Sequence, residues 1–172
     1  MSPYGPKELA SGFRTVRRNT LQVAQDIPED QYDFRPAEGV MSVREMLAHL
    51  ATATNWADQV HFVERKSDVT MDDFGRYMAD GKAAAERLHT KSEIVAALES
   101  RGEEFAAKLD KMTEAELAEH VSFPTPIKPP SKSRMEMLLS VKEHEMHHRG
   151  QLMLIQRLIG IVPHLTRARQ NR

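Results

Sequence analysis

The chain has 172 residues, with 24 Lys and Arg against 25 Asp and Glu, a formal charge of −1, 40% hydrophobic residues and no cysteine. That describes one globular domain, long enough to bury about 70% of the surface its unfolded form exposes and so to hold a core without a staple. The missing cysteines exclude disulfides, thiolate metal sites and cysteine nucleophiles, and the balanced charge argues against a general nucleic-acid binder, which needs a cationic surplus to neutralise phosphates. No apolar run approaches the roughly 18 to 20 residues that span a bilayer, and the opening MSPYGPKEL lacks the apolar stretch of a secretory leader. The expectation is a cytoplasmic protein with neither membrane nor nucleic acid as partner.

Leu9, Phe13, Val16, Thr20, Val23 and Ile27 recur at steps of four and three, the stripe of an amphipathic helix with Pro6 in its first turn and Pro28 closing it. Residues 28–41 carry Pro28, Pro36 and Gly39 without a period and read as a loop, anchored to the core by Tyr32 and Phe34. Ser42 and Glu45 form a capping box. It starts a second helix whose stripe, Met46, His49, Leu50, Ala53, Trp56, Ala57, Val60 and Val63, runs to about Arg65.

Phe74, Met78 and Leu88 suggest a short, weaker helical segment. Thr90 and Glu93 form another box before Ile94, Leu98, Phe105, Leu109 and Met112, a third long helix. Four prolines within residues 124–130 make an extended connection, and a last long helix runs from about Ser133 to Ile159, ended by Gly160. The basic end, with Arg167, Arg169 and Arg172, reads as a solvated, frayed tail. Nothing alternates with period two over a strand's length. The economical reading is an all-α four-helix bundle, one domain over residues 1–172 with its core in about 6–160 and a tail from 161 to 172.

Bundles hold ligands and metals on inward side chains of facing helices. On a helical wheel centred on His144, Met137, Val141, His148, Gln151 and Ile155 all fall within about 60° of it. His144 and His148 thus lie one turn apart in the apolar stripe, where both imidazoles can reach one divalent ion, and His49 occupies the inward stripe of the second helix. Chance alone would give about 0.4 histidine pairs at this spacing, so placement carries the signal rather than the pair. Two readings stay open on these residues: a three-imidazole metal site with an open position, or histidines satisfied within the core. His61, His89, His120 and His164 fall outside the pattern and read as surface residues.

His144, Glu145 and His148 also spell the H-E-x-x-H of zinc peptidases, with Glu145 as base. The longer form of that motif does not follow, because Gly150 comes one place early and no third histidine appears before His164.

Two stretches, QYDFRPAEGVMSVREMLAHLATATNW and HEMHHRGQLMLIQRLIG, resemble the DinB-like (DinB/YfiT) family, and the resemblance covers nearly the whole chain. It implies a four-helix bundle of up-down-down-up topology, commonly a homodimer. It also implies a divalent ion, zinc or nickel foremost, on His49, His144 and His148, with water completing the site. Around these ligands, His147 falls at the margin of the stripe as a helix-flank or interface residue. Gln151 is a candidate for binding substrate or water, or for packing on a neighbouring helix. Glu145, at the stripe's edge, is a candidate base or orienting acceptor; its competing readings are a solvated face or a helix pair with Arg149 at i+4. Trp56 reads as core or pocket wall. Related families include transferases that use bacillithiol, mycothiol or glutathione, so the expected activity is small-thiol-dependent S-transfer to a small molecule. Metal-dependent hydrolysis and non-catalytic metal or ligand binding in a stress response are the alternatives.

Overall fold

Pro6 opens α1 (Pro6–Asp26), where its missing N–H would be unpaired in any case, in a computed structural model that describes residues 4–170. The expected stripe of α1 is buried, and Tyr32 in the following loop is fully buried, its hydroxyl donating to the Ala24 carbonyl at 2.9 Å. Phe34 packs on the same cluster. The capping box then forms as the sequence predicts: Glu45 N donates to Ser42 Oγ at 3.2 Å, and Ser42 N to the Glu45 carboxylate at 2.7 Å, starting α2 (Val43–Thr52).

The second helix does not run unbroken to Arg65. The chain turns at residues 53–54 into α3 (Asn55–Asp58) and then a π-helical turn, Gln59–Val63. The Thr52 hydroxyl donates back to the Ala48 and His49 carbonyls, each at 3.2 Å, a local bond that competes with the helical ladder and bends it. The π turn admits one extra residue, so the inward phase shifts. Val63, expected inside, is 59% exposed, whereas His61, expected at the surface, is 3% exposed.

The weak middle segment is a full helix, α4 (Met71–Ala85), capped by Thr70 and Asp73, with Leu88 beyond its end. Its periodicity was faint because only Asp73 and Tyr77 in it are buried. The expected third long helix is α5 (Lys91–Asp110), and a short capped turn, α6 (Glu114–Ala118), follows.

Two short antiparallel strands then appear where none was expected, β1 (His120–Ser122) and β2 (Ser131–Ser133), pairing His120 with Ser133 and joined by the proline-rich connection. Three residues are too few to display alternation. The last long helix is α7 (Arg134–Leu158), with Ser133 and Glu136 as its capping box and Gly160, at φ +82°, in the left-handed conformation that ends it.

The basic tail is a further helix, α8 (His164–Gln170), rather than frayed chain. Arg167 bonds Asp26 at 2.7 Å and Arg157 reaches Thr166 at 3.0 Å, tying α8 to α1 and α7. Arg172 lies outside the described residues. The fold is mostly helical, with α1 packed on α5 and α7, and α2 packed on α4, α5 and α7. Among the described residues no helix is long and apolar enough to cross a membrane.

Arg17, on the inward stripe of α1, is 4% exposed and joins α1 to α2, α5 and α7. Its guanidinium donates to Glu145 of α7 at 2.8 to 3.1 Å, to the Leu98 carbonyl of α5 at 2.9 Å and to the Leu50 carbonyl of α2 at 3.3 Å. Gly102 of α5 makes room for this, since a Cβ there would lie 2.7 Å from Arg17 Cγ.

His61 is the second buried polar centre. Arg134 Nη1 lies 3.1 Å from its Nδ1, and a guanidinium only donates, so Nδ1 must accept and the ring must be neutral. Burial first, and Arg134 second, push its pKa from 6.5 down to about 3. Between those values the unfolded chain takes up a proton that the folded chain refuses, so stability is lost as pH falls through that window, by up to about 1.4 kcal/mol per unit. Urea unfolding across the window will show this loss, with a shallower slope in His61→Phe. An equal slope in both proteins would place the acid sensitivity elsewhere.

Candidate metal centre

The box at Ser42 starts α2, and His49 follows seven residues later, two turns into the helix, facing α7. On α7, His144 and His148 occupy successive turns of the face that meets it. His144 Nε2 lies 3.1 Å from His49 Nε2 and 3.1 Å from His148 Nε2, and one nitrogen from each ring falls within 4.8 Å of the others. All three rings are partly buried and meet edge to face, with centroids 4.6 to 5.1 Å apart.

Their environment keeps the rings neutral. Burial, then the neighbouring imidazoles, lowers His49 and takes His144 down to about 4; burial also lowers His148, against the opposing bond from Gln151. Neutral imidazoles leave lone pairs free, as a metal ligand requires.

Gln151 supplies the orientation. Its Oε1 lies 2.8 Å from His148 Nδ1 and must accept, so the His148 proton sits on Nδ1 and the Nε2 lone pair points into the cluster. Its amide nitrogen reaches His147 Nε2 at 3.2 Å. With the proton of His148 committed to Gln151, the three converging nitrogens have too few protons to satisfy one another as hydrogen bonds. A shared ion resolves this, because nitrogens bound tetrahedrally at 2.0 to 2.1 Å from zinc stand about 3.3 Å apart, close to the observed spacing. The residues fit a divalent ion.

Gln151 braces two rings of its own helix rather than packing on a neighbour. Its replacement by alanine should weaken metal affinity about 10- to 100-fold, as loss of outer partners does. Competition against a chelator of known affinity measures this, and an unchanged constant would make Gln151 a surface residue. His147 is exposed, with its ring 5.1 Å from that of His148. Glu145 is neither solvated nor paired with Arg149, being 2% exposed and bonded to Arg17. That bridge withdraws the base a zinc peptidase would need. Trp56 is pocket wall: with His49 and His144 it lines a cavity of about 990 Å³. Arg17 was missed, although its place on the inward stripe beside Val16, one turn after Phe13, was the available signal.

A family model described as DinB superfamily matches residues 13–152. The chain is 24% identical over 156 residues to the uncharacterized protein YjoA of Bacillus subtilis (strain 168), covering 89% of this chain and 90% of that protein. The crystal structure of that DinB-like protein superposes with a TM-score of 0.66 at 23% identity, covering 89% of this chain and 92% of the other. This structural likeness speaks to fold alone.

Proposed function

The chain belongs to the DinB superfamily, and from that premise we propose that it is a divalent-metal-dependent enzyme transferring a small thiol to an electrophilic substrate. The observation that carries the reading is the convergence of three neutral imidazole nitrogens beside a cavity. His49, His144 and His148 would hold the ion, and Gln151 would keep the His148 lone pair turned toward it. A bound zinc or nickel ion would supply a Lewis acid that lowers the pKa of a thiol or water at neutral pH.

Thiol transfer is preferred to hydrolysis because Glu145, the carboxylate best placed in sequence to serve as a base for water, is held by Arg17. A thiol ionises far more readily than water and needs no such base. Having no cysteine, the protein must take the thiol from solution. In the reaction a sulfur–carbon bond forms, the leaving group departs with its electron pair, and the thiol proton passes to solvent. The same reading takes α1, α2, α5 and α7 as an up-down-down-up bundle with α4 in the crossover, and the molecule as a cytoplasmic homodimer acting on small molecules.

The test is depletion of 1-chloro-2,4-dinitrobenzene with bacillithiol, mycothiol or glutathione, with and without zinc or nickel. The proposal expects turnover only when metal and thiol are both present. Consumption of an ester substrate without thiol would make the protein a hydrolase, and metal uptake without turnover in any combination would make it a binding protein.

A further inference from the structure

We propose that the cavity beside the histidine cluster binds an uncharged, hydrophobic small molecule, which enters between α2 and α4 and presents its reactive group to His49 and His144. The assignment of that molecule as the electrophile rests on the metal-site reading above. The cavity, about 990 Å³, is at the upper end of the range for small-ligand pockets. Val40, Met41, Ala48, Trp56, Met78 and Leu88 form much of its wall. Val40 and Met78 are 41% and 55% exposed, so apolar side chains stand open to solvent at the mouth.

The space exists because α4 presents small residues to it. Gly81 and Ala85 lie one turn apart on the lining face, and a Cβ added at Gly81 would meet nothing within 4 Å.

The charges around the cavity are already matched. Arg35 pairs with Glu45 at 2.9 Å, Arg44 with Asp33 at 2.8 Å, and Lys82 faces Glu86 at 3.8 Å. The Thr52 and Ser140 hydroxyls donate to helix carbonyls of Ala48, His49 and Met137. A charged ligand entering this apolar space would lose water without gaining an unpaired counter-ion, whereas a neutral apolar one is favoured by the area it buries. The polar demand of the ligand therefore falls on the histidine end and on Asn55 and His89, which also line the cavity.

Binding of the neutral fluorophore N-phenyl-1-naphthylamine tests this in the parent, before and after a chelator strips its metal, and in Gly81→Phe and Ala85→Trp, which fill the cavity. The expected result is equal affinity, within about twofold, in the parent with and without its metal, and at least tenfold loss in a filled variant that retains its metal content. On zinc-loaded protein, n-alkyl hydroxamates should bind about fourfold tighter per added methylene until the cavity is full. Failure of the parent to bind the fluorophore, equal binding by both filled variants, or tighter binding of an anionic analogue would overturn the proposal. So would a parent that excludes the fluorophore and a Gly81→Phe that turns a dimer into monomers, since a second copy would then cover the cavity. If the protein takes up no metal but fluorophore binding follows the expected order, the hydrophobic site stands and only its role in catalysis falls.

Discussion

Replacing His144 by alanine will abolish near-stoichiometric uptake of a divalent ion and leave the helical circular dichroism in place. His144 is the hub of the cluster, with its Nε2 3.1 Å from the Nε2 atoms of both His49 and His148. Removing it leaves His49 and His148 on separate helices with no nitrogen between them. The fold survives because the rings are only partly buried while the apolar clusters lie elsewhere, around Leu47, Leu98 and Leu152 on one side and Phe13, Phe105 and Leu138 on the other. A core of this size stands without an ion. Mass spectrometry of protein purified without a histidine tag, with His49→Ala and His148→Ala alongside, measures the loss. Metal retained in all three variants would remove the shared site, and loss of helicity together with the metal would make the ion structural.

Glu145→Ala will lower the free energy of unfolding by about 3–5 kcal/mol, the usual cost of leaving one member of a buried ion pair without its partner. The stranded group would be the Arg17 guanidinium, which is 4% exposed. Its bonds to the Leu98 and Leu50 carbonyls remain but neutralise no charge. The double replacement Arg17→Met with Glu145→Leu should recover most of that loss, because burying two apolar side chains avoids the desolvation of both ions. Urea unfolding of the parent, the single variant and the double variant gives the comparison, and metal content should not change across the set. A Glu145→Ala protein as stable as the parent but unable to hold metal would return this carboxylate to the metal site.

These two residues mark where reading along the chain stops. His144 and Glu145 are adjacent in sequence, and the helical wheel places one in the apolar stripe and the other at its edge. For His144 this suffices, since the i to i+4 spacing to His148 has the same geometry in any α-helix. For Glu145 it does not, because a residue at a stripe's edge turns toward whichever neighbour offers a counter-charge. That neighbour, Arg17, lies 128 residues away in sequence.

Signals that act within a turn or two of chain were legible for the same reason. The Ser42 and Thr90 boxes, the stripes of α1 and α5, the end at Gly160 and the i to i+4 pairing of His144 with His148 all follow from fixed helical spacing. The breaks were not legible. The Thr52 back-bond and the π turn shift the helical phase by an amount that no periodic template contains, and so they exchanged the fates of His61 and Val63. The β1–β2 pair and the anchoring of α8 by Asp26 depend on partners distant in sequence. Local periodicity thus determines most of the helices and sets His49, His144 and His148 as candidates to meet. The packing of α1, α2, α5 and α7 decides which polar side chains are spent on one another and which remain for a ligand, because burial penalises a polar group without a partner and the partner is a matter of space, not sequence.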